Sequence, residues 1–355
     1  MSDYRGRLVP LIEFAETEKA RRRWPLAADV DREFAIEFSA SLRTRITARN
    51  GRPAAVHRTI SKRQIWNTLD VARSLFHWAR KPEVNLLPSI FPNPFTVDIV
   101  GQKARKDPAR PHPLPLDARV QLVRSMDLWQ LTHLAVPMLL GPRPDEYTRI
   151  LISDVSLSER RIQFGERFGG KDFNKGKQAF TVPFPAAIEP LILVCMGGRQ
   201  DGPLLRRRAV FAGRKPEIQV ETLNEIEEVL DLAVAEADPA QLQTAQDVKK
   251  LVARVFLDMG AISPDSIGTE FKAVLCRSGL TIAPRLYDLR GAFSTDLKAA
   301  GVDYLVQRYV TGHATNDVMN AYSAIDVTRD MERYFNHIRP LLDAMSSRAA
   351  DLGIK

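Results

Sequence analysis

The chain has 355 residues, 45% of them hydrophobic and 26% charged. That balance can bury a real core and excludes disorder as the overall state, and the length predicts two domains rather than one. With 51 Lys and Arg against 43 Asp and Glu the formal net charge is +8, so a polyanion is the first partner to consider. Cys195 and Cys276 are the only cysteines; they exclude a disulfide framework and a cysteine metal site and point to an intracellular protein. No apolar run approaches the roughly 18 residues of a membrane span, and the N-terminal residues lack the apolar segment of a secretion signal, so no membrane partner is expected.

Residues 1–100 read as a helical domain. In ISKRQIWNTLDVARSLFHWARK the residues Ile65, Leu69, Ala72, Leu75 and Phe76 recur at helical spacing, with Arg and Lys on the other face. Between residues 38 and 110 there are 14 Lys and Arg and 4 Asp and Glu, a local net of +10 that suits a DNA clamp. Residues 101–115, GQKARKDPARPHPLP, combine prolines and basic residues with no apolar period, which reads as an extended linker.

From residue 116, LDARVQLVRSMDLWQLTHLAVPMLLG predicts two helices, the second ending at Gly141. The pattern then alternates around Ile162 and Phe164, breaks at Gly169-Gly170, and alternates again through Phe180, Val182 and Phe184, which predicts a β-hairpin or small meander. Residues 200–265 read as an insertion. Within it, residues 217–238 carry eight acids and no base, predicting an acidic amphipathic helix that would avoid DNA. The fold class expected is therefore mainly α with a small antiparallel β-sheet, in two domains, the second (116–355) ending in a tail helix over 328–355.

Five polar boxes follow one another in the second domain: GPRPDE at 141–146, KGKQAFTVP at 175–183, YDLRGAFSTDLKAAGVD at 287–303, TGHATND at 311–317 and NAYSAID at 320–326. Their order and intervals resemble the catalytic domain of the tyrosine recombinase, or phage integrase, family. That family has an Arg box, a hairpin Lys, an H-x-x-R box, a Gly-His box 23 residues past its second Arg, and a nucleophilic Tyr 9 residues further. Arg290 to His313 is 23 residues and His313 to Tyr322 is 9. The resemblance covers roughly 116–325, and the basic helical domain before it looks like the family's core-binding domain.

Strand exchange without water or an energy source needs a nucleophile that stores the phosphodiester as an ester, a role for the phenol of Tyr322. Charge that develops on the nonbridging phosphate oxygens calls for preplaced guanidiniums, Arg143 and Arg290. Pro144 suits the first position of a helix and would leave Arg143 at its mouth, with Glu146 orienting the arginine. The leaving 5′ oxygen needs a proton, which a hairpin lysine can deliver; Lys175 is the choice, with Lys171 and Lys177 close enough to compete. His313 would donate a hydrogen bond to the phosphate. Tyr287 departs from the pattern, since it stands where the family most often has His, and a phenol is a poor proton acceptor near neutrality.

What the resemblance implies is a site-specific recombinase or integrase of a mobile element. It would cleave and rejoin double-stranded DNA through a 3′-phosphotyrosine and a Holliday junction, as a homo-tetramer on two DNA sites with possible accessory DNA-bending proteins. It would need no cofactor and no metal, and would work in the cytoplasm at the nucleoid. Alternatives are a type IB topoisomerase and a catalytically inactive DNA-binding relative. Met331, Tyr334, Phe335, Ile338, Leu341, Leu342 and Met345 lie at helical spacing in the tail, interrupted by Pro340; the resemblance suggests docking on a neighbouring subunit, and packing on its own domain is the alternative.

Overall fold

Apolar residues three and four apart put most of the chain into helices, and the computed structural model describes residues 2–48, 57–103, 114–165, 179–242, 244–282, 284–313 and 327–354. They form two units, Met1–Arg110 and Pro111–Lys355. No helix among the described residues is long and apolar enough to cross a membrane.

The first unit contains α1 (Ser2–Ala15), α2 (Glu18–Arg23), α3 (Arg32–Thr44), α4 (Lys62–Ala79) and α5 (Val97–Val100). Its core gathers Phe34, Phe38 and Leu42 from α3, Leu69, Ala72 and Phe76 from α4, and Phe95. Asp31 and Ser61 cap α3 and α4 by accepting the N–H groups of Phe34 and Gln64, which satisfies donors that a helix start leaves open. Leu69, Ala72 and Phe76 face inward as their spacing predicts, whereas Trp78 is half exposed. A two-stranded antiparallel ribbon, β1 (Ile46–Ala48) with β2 (His57–Thr59), separates α3 from α4. The sequence gives no warning of it, because three-residue strands are too short to show an alternation.

The second unit is built around α7 (Leu128–Leu140), which is buried along nearly its whole length. It is preceded by α6 (Leu116–Arg124) and followed by the four-residue α8 (Pro144–Tyr147). A three-stranded sheet runs in the order β3 (Val155–Ser156), β4 (Arg161–Phe164), β5 (Phe180–Pro183). The β4/β5 register pairs Ile162 with Val182 and Phe164 with Phe180, all four buried, so the predicted alternation is the buried face of the hairpin. The helices α9 (Glu189–Met196), α10 (Arg208–Phe211), α11 (Leu223–Glu236), α12 (Ala245–Asp258), α13 (Pro264–Arg277), α14 (Asp288–Ala299) and α15 (Tyr304–Val310) follow. The acidic helix α11 buries Ile226 and Leu230 against Val252, Val255 and Phe256 of α12, in a small core of its own.

The tail forms two helices, α16 (Val327–His337) and α17 (Arg339–Asp351), with Pro340 in the first turn of the second. Proline is tolerated there because the N–H it lacks has no helical partner. Of the two placements left open by the sequence, the structure shows the tail on its own domain. Met331, Tyr334, Ile338, Leu341, Leu342 and Met345 lie in the main core, the Tyr334 hydroxyl donates to the Leu139 carbonyl at 2.6 Å, and α17 packs along α6. A buried ion pair reinforces this layer: Arg119 of α6, fully buried, meets Asp296 of α14 at 2.5 Å.

Met345→Ala is expected to destabilise the protein by about 2–5 kcal/mol, the usual range for truncating a fully buried large apolar side chain. The shift in denaturant midpoint should not depend on protein concentration. A tail that docks only between subunits would give a negligible shift in the dilute protein.

Candidate active site

Arg143 follows a reversal that its neighbours enforce. Helix α7 ends at Gly141 in the left-handed conformation, φ 57°, and a Cβ there would lie 2.7 Å from the Phe293 side chain, so only glycine fits both the backbone and the space. Arg143 is extended and precedes Pro144, the first residue of α8. Glu146 folds back: its carboxylate accepts the Arg143 backbone N–H at 2.7 Å and the Arg143 guanidinium at 2.5 Å. Glu146 therefore holds Arg143 through two hydrogen bonds. Helix α8 is only one turn long, too short for the helix-mouth attraction expected there, and the Arg143 side chain remains 17% exposed.

Arg290 reaches the same carboxylate from the opposite end of the chain. It lies on the first turn of α14, 6% exposed, with its Nη1 3.8 Å from Glu146 Oε2. Nη1 also donates to the Gly141 carbonyl at 2.9 Å, and Nη2 donates to the Thr311 carbonyl. Both carbonyls sit where helices α7 and α15 end, at orphan acceptors carrying partial negative charge, which makes a cation the natural plug between them. Burial, and then the charge of Arg143, push the Arg290 pKa down, yet a guanidinium stays protonated at neutral pH. Two guanidiniums therefore share one carboxylate, a surplus positive charge that an anion can neutralise.

His313 follows α15 at Gly312, whose φ is 62° and where a Cβ would meet the Phe180 ring at 2.7 Å. Glycine here lets the turn close onto β5. The Tyr309 hydroxyl accepts the Thr181 N–H at 3.1 Å and ties α15 to the same strand. His313 Nδ1 is 2.8 Å from the Thr311 hydroxyl, which itself lies 2.7 Å from the Gln307 carbonyl, and the Arg308 guanidinium donates to the His313 carbonyl. Burial first, then the charges of Arg290, Arg143 and Arg308, lower the His313 pKa, with Glu146 opposing them. On balance these causes favour the neutral imidazole, which can offer one N–H to a phosphate without adding charge. A cleft of about 330 Å³ bordered by Ser294, Tyr304, Arg308, Thr311 and His313 opens beside it.

Tyr287 stands at the start of α14, half exposed, near enough to couple electrically to Arg290. The structure thus gathers Arg143, Glu146, Arg290, Tyr287 and His313. Lys175 and Tyr322 lie outside the described residues, as do Lys171 and Lys177. Thr311 was not singled out by the sequence reading, although its carbonyl holds Arg290 and its hydroxyl holds His313; its place directly before the Gly-His pair was the available signal.

The architecture carries its own comparison. The integrase of the Tn1549 transposon, solved in complex with transposon right end DNA, matches over 95% of this chain and 94% of its own at a TM-score of 0.54 and 13% identity. A lambda integrase dimer bound to a COC′ core site matches over 92% and 91% at a TM-score of 0.50 and 11% identity. The fold is that of the tyrosine recombinases. Neither a family model nor a curated protein matches the sequence, so the tyrosine recombinase likeness rests on fold, with identities too low to carry more.

The His313 ring, followed by NMR in the DNA-free protein, is expected to titrate below the usual value near 6.5. Arg143→Ala should move that titration upward, because one of the charges opposing protonation is gone. Titration of the parent at or above the usual value would contradict a neutral His313.

Proposed function

We propose that the chain is a site-specific DNA recombinase that cleaves and rejoins strands by transesterification through a 3′-phosphotyrosine at Tyr322. The observation that carries this reading is the convergence of Arg143 and Arg290 on Glu146, with His313 held beside them by Thr311. This is a cationic, hydrogen-bonding cradle of the kind that stabilises charge gathering on a phosphodiester in its transition state. Arg143 and Arg290 hold the nonbridging oxygens, Glu146 orients both arginines, and His313 donates to the same phosphate. Tyr287 contributes a hydrogen bond in place of an imidazole.

The two groups outside the described residues fit by position. Lys175 belongs to the connection between β4 and β5, and β5 packs against α15, which leads to His313. The segment bearing Tyr322 leaves from His313 and re-enters at α16, and α15 and α16 both contact β5. Tyr322 attacks the phosphorus and forms the phosphotyrosine ester, the 5′ oxygen leaves with a proton from Lys175, and the reverse step by a new 5′ hydroxyl restores Tyr322. In this reading Met1–Arg110 is the core-binding unit, its basic stretch neutralising backbone phosphates. Four protomers on two DNA sites, with a Holliday junction between the two rounds of exchange, complete the proposal. Retention of both arginines and the histidine argues against an inactive relative.

Tyr322→Phe is expected to keep DNA affinity nearly unchanged and to abolish the SDS-resistant protein–DNA adduct on nicked duplexes; an adduct surviving in that variant removes Tyr322 from the role. A second expectation concerns Tyr287. Because a phenol cannot act as a base near neutrality, cleavage by the parent should rise with pH toward the tyrosine range. Tyr287→His should flatten that rise, and Tyr287→Phe should slow single-turnover cleavage, within the roughly 10²- to 10⁴-fold that general acid–base groups contribute. Equal rates for Tyr287→Phe and parent at every pH would reduce Tyr287 to a packing residue.

A further inference from the structure

Helices α11 and α12 differ in charge. Glu225, Glu227, Glu228, Asp231 and Glu236 lie on α11, which has no base, whereas α12 carries Lys249, Lys250 and Arg254 along with Asp247 and Asp258. The two pack through their apolar sides, so the pair is strongly acidic on one helix and has a net charge of only +1 on the other. The second helix faces the candidate active site: Lys249 Nζ is 3.1 Å from the carboxylate of Asp145, two residues beyond Arg143. Between α8 and α12 lies a cleft of about 220 Å³, bordered by Asp145, Arg149, Lys249, Lys250, Ser263 and Pro264 among others.

Three cations and one acid border this cleft. The 14-residue helix α13 starts there, with Ser263 capping its first turn. A helix of that length presents a positive dipole end at its start, although Pro264 has no N–H and the Ser266 N–H is taken by the cap. Lys250 is largely exposed at 65%, paired only near its own helix start with Asp247, and Lys249 keeps 23% of its side chain accessible. The pairing of Lys249 with Asp145, 104 residues away in sequence, fixes the cleft against the helix that begins at Arg143.

We propose that this cleft seats a backbone phosphate of the bound DNA strand, adjacent to the one held by Arg143, Arg290 and His313. The inference rests on the DNA strand-transfer reading and adds a contact made by α12. Lys249 and Lys250 on α12, with Arg149, extend the phosphate track away from the reacting centre.

The test is binding of the full chain to duplex DNA over a range of salt concentrations. Each phosphate contact contributes about 0.9 to the slope of log affinity against log salt. A Lys249→Gln/Lys250→Gln variant should therefore lower that slope by about one and weaken binding equally on different sequences. Asp145→Asn breaks the same ion pair but leaves both lysines, and should keep or steepen the slope. An unchanged slope in the double variant, with the parent binding normally, overturns the inference and leaves the strand-transfer reading intact. So does a loss in Asp145→Asn equal to that of the double variant, which would mean that bracing of α8 is what matters. A parent that does not bind duplex DNA at all overturns the reading itself and the inference with it.

Discussion

The second unit depends on one buried cation. Arg290 stands where the ends of α7 and α15 meet, and its guanidinium occupies the carbonyls of Gly141 and Thr311 while facing Glu146. Without it, the two helix-end carbonyls would be left buried and unpaired, a cost of about 1–3 kcal/mol each, while Glu146 would keep only Arg143 as a partner. The same plug sets the distance between Arg143 and His313, since one follows Gly141 and the other follows Thr311. Structural and chemical demands therefore fall on a single side chain, and a substitution there cannot separate them.

This coupling explains why part of the site was readable in the sequence. The 23 residues from Arg290 to His313 are the remainder of α14, a turn at Gly301, and the whole of α15. The interval is a length constraint imposed by two packed helices that return the chain to the same carbonyl plug. The turn glycines, Gly141 and Gly312, were legible for a related reason: each is pressed against a ring, Phe293 or Phe180, that leaves no room for a Cβ. The hairpin showed through its alternation because all four inward residues are buried.

Other contacts left no local trace. Lys249 with Asp145 and Arg119 with Asp296 join residues more than 100 apart, and neither member of either pair has a pattern that distinguishes it from an ordinary surface charge. The tail was ambiguous because an apolar stripe has the same period whether it meets its own domain or another. Thr311 escaped notice because its two contributions, a carbonyl to Arg290 and a hydroxyl to His313, depend on the turn geometry rather than on residue type. The β1/β2 ribbon was missed because Ile46 is exposed and offers no inward partner to mark a strand.

The placement of α17 along α6 bears on when the domain can come into being. The first helix of the unit is covered by the last, across more than 200 residues, and such long-range closure is slow and leaves apolar surface open until it occurs. During synthesis, α6 and the face of α7 that receives Tyr334 wait uncovered while the rest of the unit emerges from the ribosome. The Arg290 plug can form earlier, because Gly141, Glu146 and Thr311 all precede the tail. Completion of the core therefore waits for α17, and a polypeptide stalled short of it would carry the Arg143, Glu146 and Arg290 cluster on a body with apolar surface still exposed.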